Sequence, residues 1–201
     1  MDENTTIKMD RKKALESKPS SEIFEQLNVL HDDLHLAFQT QFDRSLPFTD
    51  EIFDRWEKAK KLNWGENSSV YDSSYIFGDV KVGKNTWIGP FTIIDGSGGL
   101  TIGDFCTISS GVHIYTHDNV KQTLSGRVLP IERKPVSIGN CTYIAPQCIL
   151  RMGIKIGNHC LIAANSYVKS DFEDFSIIAG NPAKKIGTVT FDDGQINFKY
   201  D

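Results

Sequence analysis

No stretch of this sequence stays apolar for the roughly 20 residues that a helix needs to cross a bilayer. The run around Ile93 and Ile94 falls far short of that length, so no membrane insertion is expected. Nor does the opening MDENTTIKMDRKKALESKPSS hold the apolar core of a secretory signal, which makes a cytoplasmic address the expectation. An excess of one charge is also lacking. With 22 basic and 26 acidic side chains, five histidines and a net charge of -4, the chain implies no basic surface for nucleic acid or anionic lipid. A small molecule or a protein is the partner to expect. Cysteine is scarce, and Cys106, Cys141, Cys148 and Cys160 form no CxxC pair, hence neither a zinc knuckle nor a redox motif. They read as free thiols in a reducing compartment.

The 201 residues suffice for one main domain and an accessory segment. Residues 1–18 are polar, without apolar periodicity, and are expected to be mobile. Residues 19–65 read as an α-helical segment. Ser20 is a plausible N-cap, and Ile23, Leu27, Leu30, Leu34 and Phe38 recur at helical spacing on one face. A second helix is expected from Asp50 to about Lys61, with Thr49 as cap, Ile52, Phe53, Trp56 and Ala59 on one face, and Gly65 beyond its end. Core packing is the expected role of both apolar faces.

From residue 66 the pattern changes. Aliphatic side chains fall every six positions at Val70, Ile76, Val82, Ile88 and Ile94, then at Ile102, Ile108 and Ile114, then from Ile138 through Ile144, Leu150, Ile156 and Ile162 to Val168. Gly or Ala often follows the aliphatic, and a small side chain often stands four residues after it, as at Thr86, Cys106, Thr142, Cys148 and Cys160. A period of six leaves no single face on a 3.6-residue helix and is too short and regular for an antiparallel sandwich. Each hexad instead makes one short strand and a corner, and three hexads close a triangular coil with the aliphatics inside. The fold class is therefore an all-β solenoid, a β-helix over residues 66–187, preceded by the α-helical segment and followed by a tail over 188–201. Two interruptions break the period. DGSGGLT adds two residues between Ile94 and Ile102, and residues 115–137 leave the coil as an extended loop, where function concentrates on a rigid scaffold.

With the THDNV segment at the loop entry and AGNPAKKIG near the end, residues 70–187 resemble the hexapeptide-repeat acetyltransferases that act on galactosides, maltose, xenobiotics and polysaccharides. The resemblance implies a left-handed parallel β-helix, acetyl-CoA as co-substrate, and His117 as the base that deprotonates an acceptor hydroxyl. An imidazole titrates near neutral pH and suits that task, and the thioester needs no covalent enzyme intermediate. His113, inside a regular hexad, is the competing base. Asp95 matches an acidic residue near the acceptor. It could bind a sugar hydroxyl, orient the imidazole, or merely serve the turn. Asp118 is placed with it at the acceptor. For the cofactor the resemblance points to the corner residues Ala145, Pro146, Ala163, Ala164, Lys169 and Ser170, and to Lys184 and Lys185 for the nucleotide phosphates. A second basic position of the closing motif is Gly187 here. Pro146 has no N–H to offer an oxyanion, which turns attention to the Ala145 amide.

The function expected is acetyl transfer to a hydroxyl of a sugar or glycan precursor, within polysaccharide biosynthesis. The alternatives are N-acetylation of a nucleotide-linked amino sugar and a non-catalytic β-helix scaffold. A zinc-dependent β-helix hydratase of the γ-carbonic-anhydrase type would need three converging histidines. His113, His117 and His159 occupy different hexad phases, so no metal is expected. The acceptor implied is a small sugar or nucleotide sugar. A triangular prism with flat faces and a protruding loop resembles proteins that trimerise about an axis parallel to the β-helix, so a homotrimer with sites between subunits is expected.

Overall fold

A computed structural model describes residues 10–201. The chain divides into two compact units that meet between Ile52 and Phe53.

The first unit is helical. Helix α1, Arg11–Leu15, starts where Asp10 accepts from the Lys13 amide at 3.0 Å. The expected mobile segment is therefore helical in part, and its residues 1–9 lie outside the described residues. Helix α2 runs Ser21–Phe42 behind Ser20, whose side chain makes no capping bond. The apolar stripe is helical as expected, but among the described residues it forms no core, because α2 has no buried residue and Ile23 and Leu27 are exposed. Helix α3, Phe48–Ile52, buries two acidic residues, Asp50 and Glu51.

The expected single helix over 50–61 is in fact two. Asp54 takes an extended conformation and accepts from the amides of Trp56 and Glu57 at 2.9 and 2.8 Å, which starts a fresh helix α4, Arg55–Lys61, in the second unit. An aspartate that satisfies two orphan N–H groups competes well with helix continuation. Ile52, Phe53 and Trp56 are exposed, and only Ala59 of that face is buried. Ala59 and Trp64 close the first coil of the solenoid, with the Trp64 indole donating to the Val80 carbonyl at 3.1 Å.

The rest of the second unit is a left-handed parallel β-helix of about six turns. One face stacks Ser69–Val70, Trp87–Ile88, Thr107–Ile108, Tyr143–Ile144, Leu161–Ile162 and Ser176–Gly180. The second face aligns Ile76, Ile94, Ile114, Leu150 and Val168, and the third Val82, Ile102, Ile138 and Ile156. The inward column of the first face, Val70, Ile88, Ile108, Ile144, Ile162 and Ile178, has no solvent exposure. Each such aliphatic contributes about 1.5–3 kcal/mol by leaving water.

The corners explain how six residues suffice per side. Three positions after the aliphatic, Asn85, Phe91, Phe105, Cys141, Gln147, His159 and Asn165 have positive φ, as do Gly111 and Gly153, so these nine corners reverse through one left-handed residue. The small residue one position later donates down to the next coil: Thr86 Oγ1 to the Gly103 carbonyl at 2.8 Å, Cys106 Sγ to Gly139 at 3.1 Å, Thr142 Oγ1 to Gly157 at 3.0 Å. Cys148 Sγ likewise donates to the Ala163 carbonyl at 3.0 Å and Cys160 Sγ to Glu173 at 3.2 Å, so the three buried cysteines serve as donors as well as small side chains. Residues 188–201 are not a loose tail. Ala183–Asp192 and Gln195–Tyr200 form an antiparallel hairpin on the edge of the first face, turning at Asp193 and Gly194, both with positive φ, as an Asp-Gly hairpin turn requires.

Candidate functional site

The corner after the second face differs from the others where the sequence is interrupted. In the coil of Ile94 the added residues let Asp95 turn inward, and its carboxylate is 1% exposed. Asp95 Oδ1 accepts from the Ser97 amide at 2.9 Å and the Ser97 hydroxyl at 2.5 Å, and Oδ2 accepts from the Thr116 amide at 2.8 Å. Thr116, itself fully buried, donates its hydroxyl to the Asp95 carbonyl at 2.8 Å and accepts from the Gly98 amide at 2.8 Å. A Cβ on Gly98 would overlap the Thr116 carbonyl oxygen, so the DGSGG insertion needs glycine there. Burial pushes the Asp95 carboxyl up. The hydrogen bonds from the Ser97 hydroxyl, the Thr116 and Ser97 amides and His117 outweigh it and hold the group well below the usual carboxylate range.

The fourth partner of that carboxylate is His117, whose Nδ1 lies 2.7 Å from Asp95 Oδ2. An ionised carboxylate there accepts from Nδ1–H, which leaves Nε2 as the unprotonated nitrogen of the neutral ring. The imidazole is 38% exposed against 1% for the carboxylate, so one end of the pair is buried and the other faces solvent. The backbone around it is pinned by the stem of the excursion: His117–Asp118 pairs antiparallel with Glu132–Arg133, and the Lys134 amide donates to the Thr116 carbonyl at 3.0 Å. Helix α5, Val120–Leu124, continues the excursion, and its Leu124 and Val128 beyond it are more than 80% exposed.

His117 borders a cleft of about 310 Å³ that Tyr115, Asp118, Ile149, Arg151 and Tyr167 also line. Asp118 Oδ1 accepts from the Val120 amide at 2.7 Å and Oδ2 stands 3.9 Å from the Arg151 guanidinium. Asp118 therefore starts the turn into α5 and still reaches the cleft. Asp95 does not. Of the roles open to it in the sequence, an acceptor contact is corrected by its burial, since both oxygens are occupied from within and no face is open to a sugar.

The expected cofactor residues fall on two edges of the prism. Lys169 and Ser170 follow Tyr167–Val168 on the second face, at the same edge as His117. Ala145, Pro146, Ala163 and Ala164 follow first-face strands, at a different edge, where Pro146 and Ala164 are exposed. Lys184 and Lys185 are exposed in the strand that pairs with Ser176–Gly180, opposite Ala179 and Ile178. The Ala145 amide donates to the Ile162 carbonyl at 2.9 Å and so is not free to stabilise an oxyanion. The structure corrects that expectation.

His113 Nδ1 lies 3.4 Å from the Tyr115 hydroxyl, and His159 stacks on Phe175 at 5.2 Å. Among the described residues the β-helix histidines form no cluster able to hold a metal. Ser97, Thr116, Tyr115, Arg151 and Tyr167 escaped the sequence reading. The signal for Thr116 and Ser97 was the coil register, which aligns Ile94 with Ile114 and so brings both flanks together.

Two segments, residues 79–116 and 135–170, match a family model described as a hexapeptide repeat of succinyl-transferase, and the gap between them holds the excursion that begins at His117. The chain is 30% identical over 158 residues to dTDP-4-amino-4,6-dideoxy-D-glucose acyltransferase of Escherichia coli, covering 61% of this chain and 79% of that one. It belongs to the hexapeptide-repeat acetyltransferase family. As a family member it is an acyltransferase. Galactoside O-acetyltransferase of Escherichia coli strain K12 is 27% identical over 169 residues, with 79% of each chain covered. A hexapeptide-repeat acetyltransferase of Vibrio cholerae O1 biovar eltor, solved with acetyl-CoA, shares the fold with a TM-score of 0.60 at 22% identity over 85% of this chain and 90% of that one. No helix among the described residues of this family member is long and apolar enough to cross a membrane.

Proposed function

We propose that this acyltransferase moves an acetyl group from acetyl-CoA to a hydroxyl of a sugar or glycan precursor, with His117 as general base. The observation that carries the reading is the 2.7 Å contact between His117 Nδ1 and the buried Asp95 carboxylate, which its hydrogen bonds hold well below the usual carboxylate range. As the hydroxyl oxygen attacks the thioester carbonyl, Nε2 takes its proton. Collapse of the tetrahedral intermediate breaks the carbon–sulfur bond, and the leaving thiolate takes that proton as CoA departs. Asp95 is a positioning residue that holds the productive tautomer and offsets the imidazolium charge, a role that needs no contact with substrate. Asp118 and Arg151 supply polar contacts for the acceptor at the cleft.

Two further features support a homotrimer. Of the residues assigned to the cofactor, Ala145, Pro146, Ala163 and Ala164 lie on an edge other than that of His117, so a neighbouring subunit's corner would complete the cleft. The exposed apolar Leu124 and Val128 suit burial against such a neighbour. Ala145, Pro146, Ala163 and Ala164 of one subunit, with Lys184 and Lys185, then face His117, Lys169 and Ser170 of the next.

One observation favours a second reading: the Escherichia coli relative at 30% identity is named for an amino-sugar nucleotide. Release of CoA from acetyl-CoA, measured over a panel of sugars and nucleotide amino sugars, distinguishes hydroxyl from amine acceptors. His117→Ala should lower kcat by about 10²–10⁴-fold while acetyl-CoA still binds by calorimetry. A wild-type chain that binds no acetyl-CoA at millimolar concentration, or that scatters light as a monomer at micromolar concentration, would refute this geometry.

A further inference from the structure

The helical unit contains a set of side chains with the chemistry of ligands. His31 and His35 lie one turn apart on α2 and therefore share a face, and Glu51 reaches them from α3. His35 Nδ1 is 3.0 Å from Glu51 Oε1, which also accepts from the Leu46 amide at 3.3 Å. Glu51 Oε2 accepts no hydrogen bond, although the side chain is 0% exposed; His31 Nε2 stands 3.6 Å from it. That separation is too long for a hydrogen bond, so an ordinary ion pair leaves a buried carboxylate oxygen unmet. Asp50 is buried beside it. Among the described residues neither lysine nor arginine forms an ion pair with Glu51.

We propose that His31, His35 and Glu51 hold one zinc-type divalent cation that ties α3 to α2. One donor atom from each lies within 4.8 Å of the others. Tetrahedral zinc with bonds of roughly 2.0–2.2 Å sets its ligand atoms about 3.4 Å apart; His31 Nε2 stands 3.6 Å from Glu51 Oε2, close to that value, and His35 Nδ1 stands 3.0 Å from the other carboxylate oxygen, Oε1. The cation would take the lone pair that Oε2 now offers to nothing. Two imidazoles with one carboxylate suit zinc; magnesium and calcium favour all-oxygen sets. Three protein ligands leave a fourth position for water. Side-chain exposures of 44% for His31 and 31% for His35 give that position a path to solvent. The Phe48 ring packs edge-on against His31, with centroids 5.2 Å apart, and fixes the imidazole plane. The expectation of no metal was drawn from the β-helix histidines, and the HDDLH spacing of the helical segment stood outside it.

The test uses the full chain, stripped by a chelator and titrated with zinc ion alone at pH 7.5 against a chromophoric competitor. One equivalent should bind at micromolar concentration or below. His31→Asn and His35→Asn should each weaken binding by more than the roughly 10–100-fold typical of losing an outer-shell partner. Both variants alter partly exposed side chains, so unchanged far-UV circular dichroism should accompany the loss. Cobalt in place of zinc should give the visible bands of a four-coordinate nitrogen and oxygen site without a thiolate charge-transfer band. Absence of zinc uptake by the wild type, unchanged affinity in both variants, or a thiolate band pointing to cysteine would each overturn the proposal, whatever the outcome of acetyl-transfer assays.

Discussion

Two kinds of corner coexist in the β-helix. The regular ones turn on a left-handed residue three positions after the aliphatic, and small donors stitch each turn to the next coil. After Ile94 and Ile114 the equivalent third positions are Ser97 and His117, and neither has positive φ. At these corners the reversal is held by side chains instead: Asp95 gathers the amides and hydroxyl that the ladder would otherwise satisfy, and the chain leaves the coil. Regular corners spend their polar groups on stacking. The interrupted pair spends them on orienting one imidazole, which explains why the same register position is a structural turn in one coil and the candidate base in another.

The sharpest way to break that comparison, after loss of the proposed base His117, is Asp95→Asn. The amide keeps the shape of the carboxylate but presents N–H to His117 Nδ1 or forces the ring into the other tautomer, so kcat should fall by about 10²–10⁴-fold with little change in acetyl-CoA affinity. Stability should follow a definite sign. A carboxyl whose folded value lies below its unfolded value of about 3.9 stabilises fully above that value and ceases to as pH falls through the folded one. Denaturant curves should therefore show the wild type more stable than Asp95→Asn between pH 5 and 7, with the gap shrinking below about pH 4. A gap that grows on acidification would contradict the hydrogen-bond assignment.

The regular coils answer to packing alone. Ile144 is fully buried at the centre of the first face and flanked by Ile108 and Ile162. Ile144→Ala should cost about 2–5 kcal/mol, read as a lowered denaturation midpoint, while Ile149→Ala, 42% exposed one hexad later, should stay within about 0.5 kcal/mol. Equal losses at the two sites would mean that the inward column does not carry the core.

How far the sequence reached follows from the same contrast. The solenoid was legible because a strict period repeats one physical requirement, an aliphatic inside and a tight corner outside, in every hexad. His117 stood out as a candidate by its place at the loop entry. The contacts of Asp95 were not legible, because Asp-Gly reads equally as a turn, and only the alignment of Ile94 with Ile114 brings its carboxylate under Thr116 and His117. The helical segment was the least legible. Periodicity marked α2 correctly, but the core packing expected of its stripe is not found among the described residues, and a strong local cap at Asp54 divided a helix that the apolar spacing ran together. Ala145 illustrates a further limit: small corner residues suggest an open amide, and only the ladder shows it already engaged.

The smallest expected effect concerns the thiols, and it tests whether a regular corner cares about the donor or about the volume. Cys106 occupies the column of Thr86 and Thr142, with its Sγ 3.1 Å from the Gly139 carbonyl. Burial pushes the thiols of Cys106, Cys148 and Cys160 up, so they stay protonated and able to donate at neutral pH. Serine preserves the donor in nearly the same volume, as Ser68 does two coils earlier by donating to Gly83 at 2.6 Å. Cys106→Ser should therefore change stability by less than about 1 kcal/mol, whereas Cys106→Ala leaves the Gly139 carbonyl short of a partner and should cost about 1–3 kcal/mol. Alanine performing as well as serine would show that the column selects for size alone. A thiol reagent offers the independent check: the exposed Cys141 should react first in the native chain, with the three corner thiols following only on unfolding.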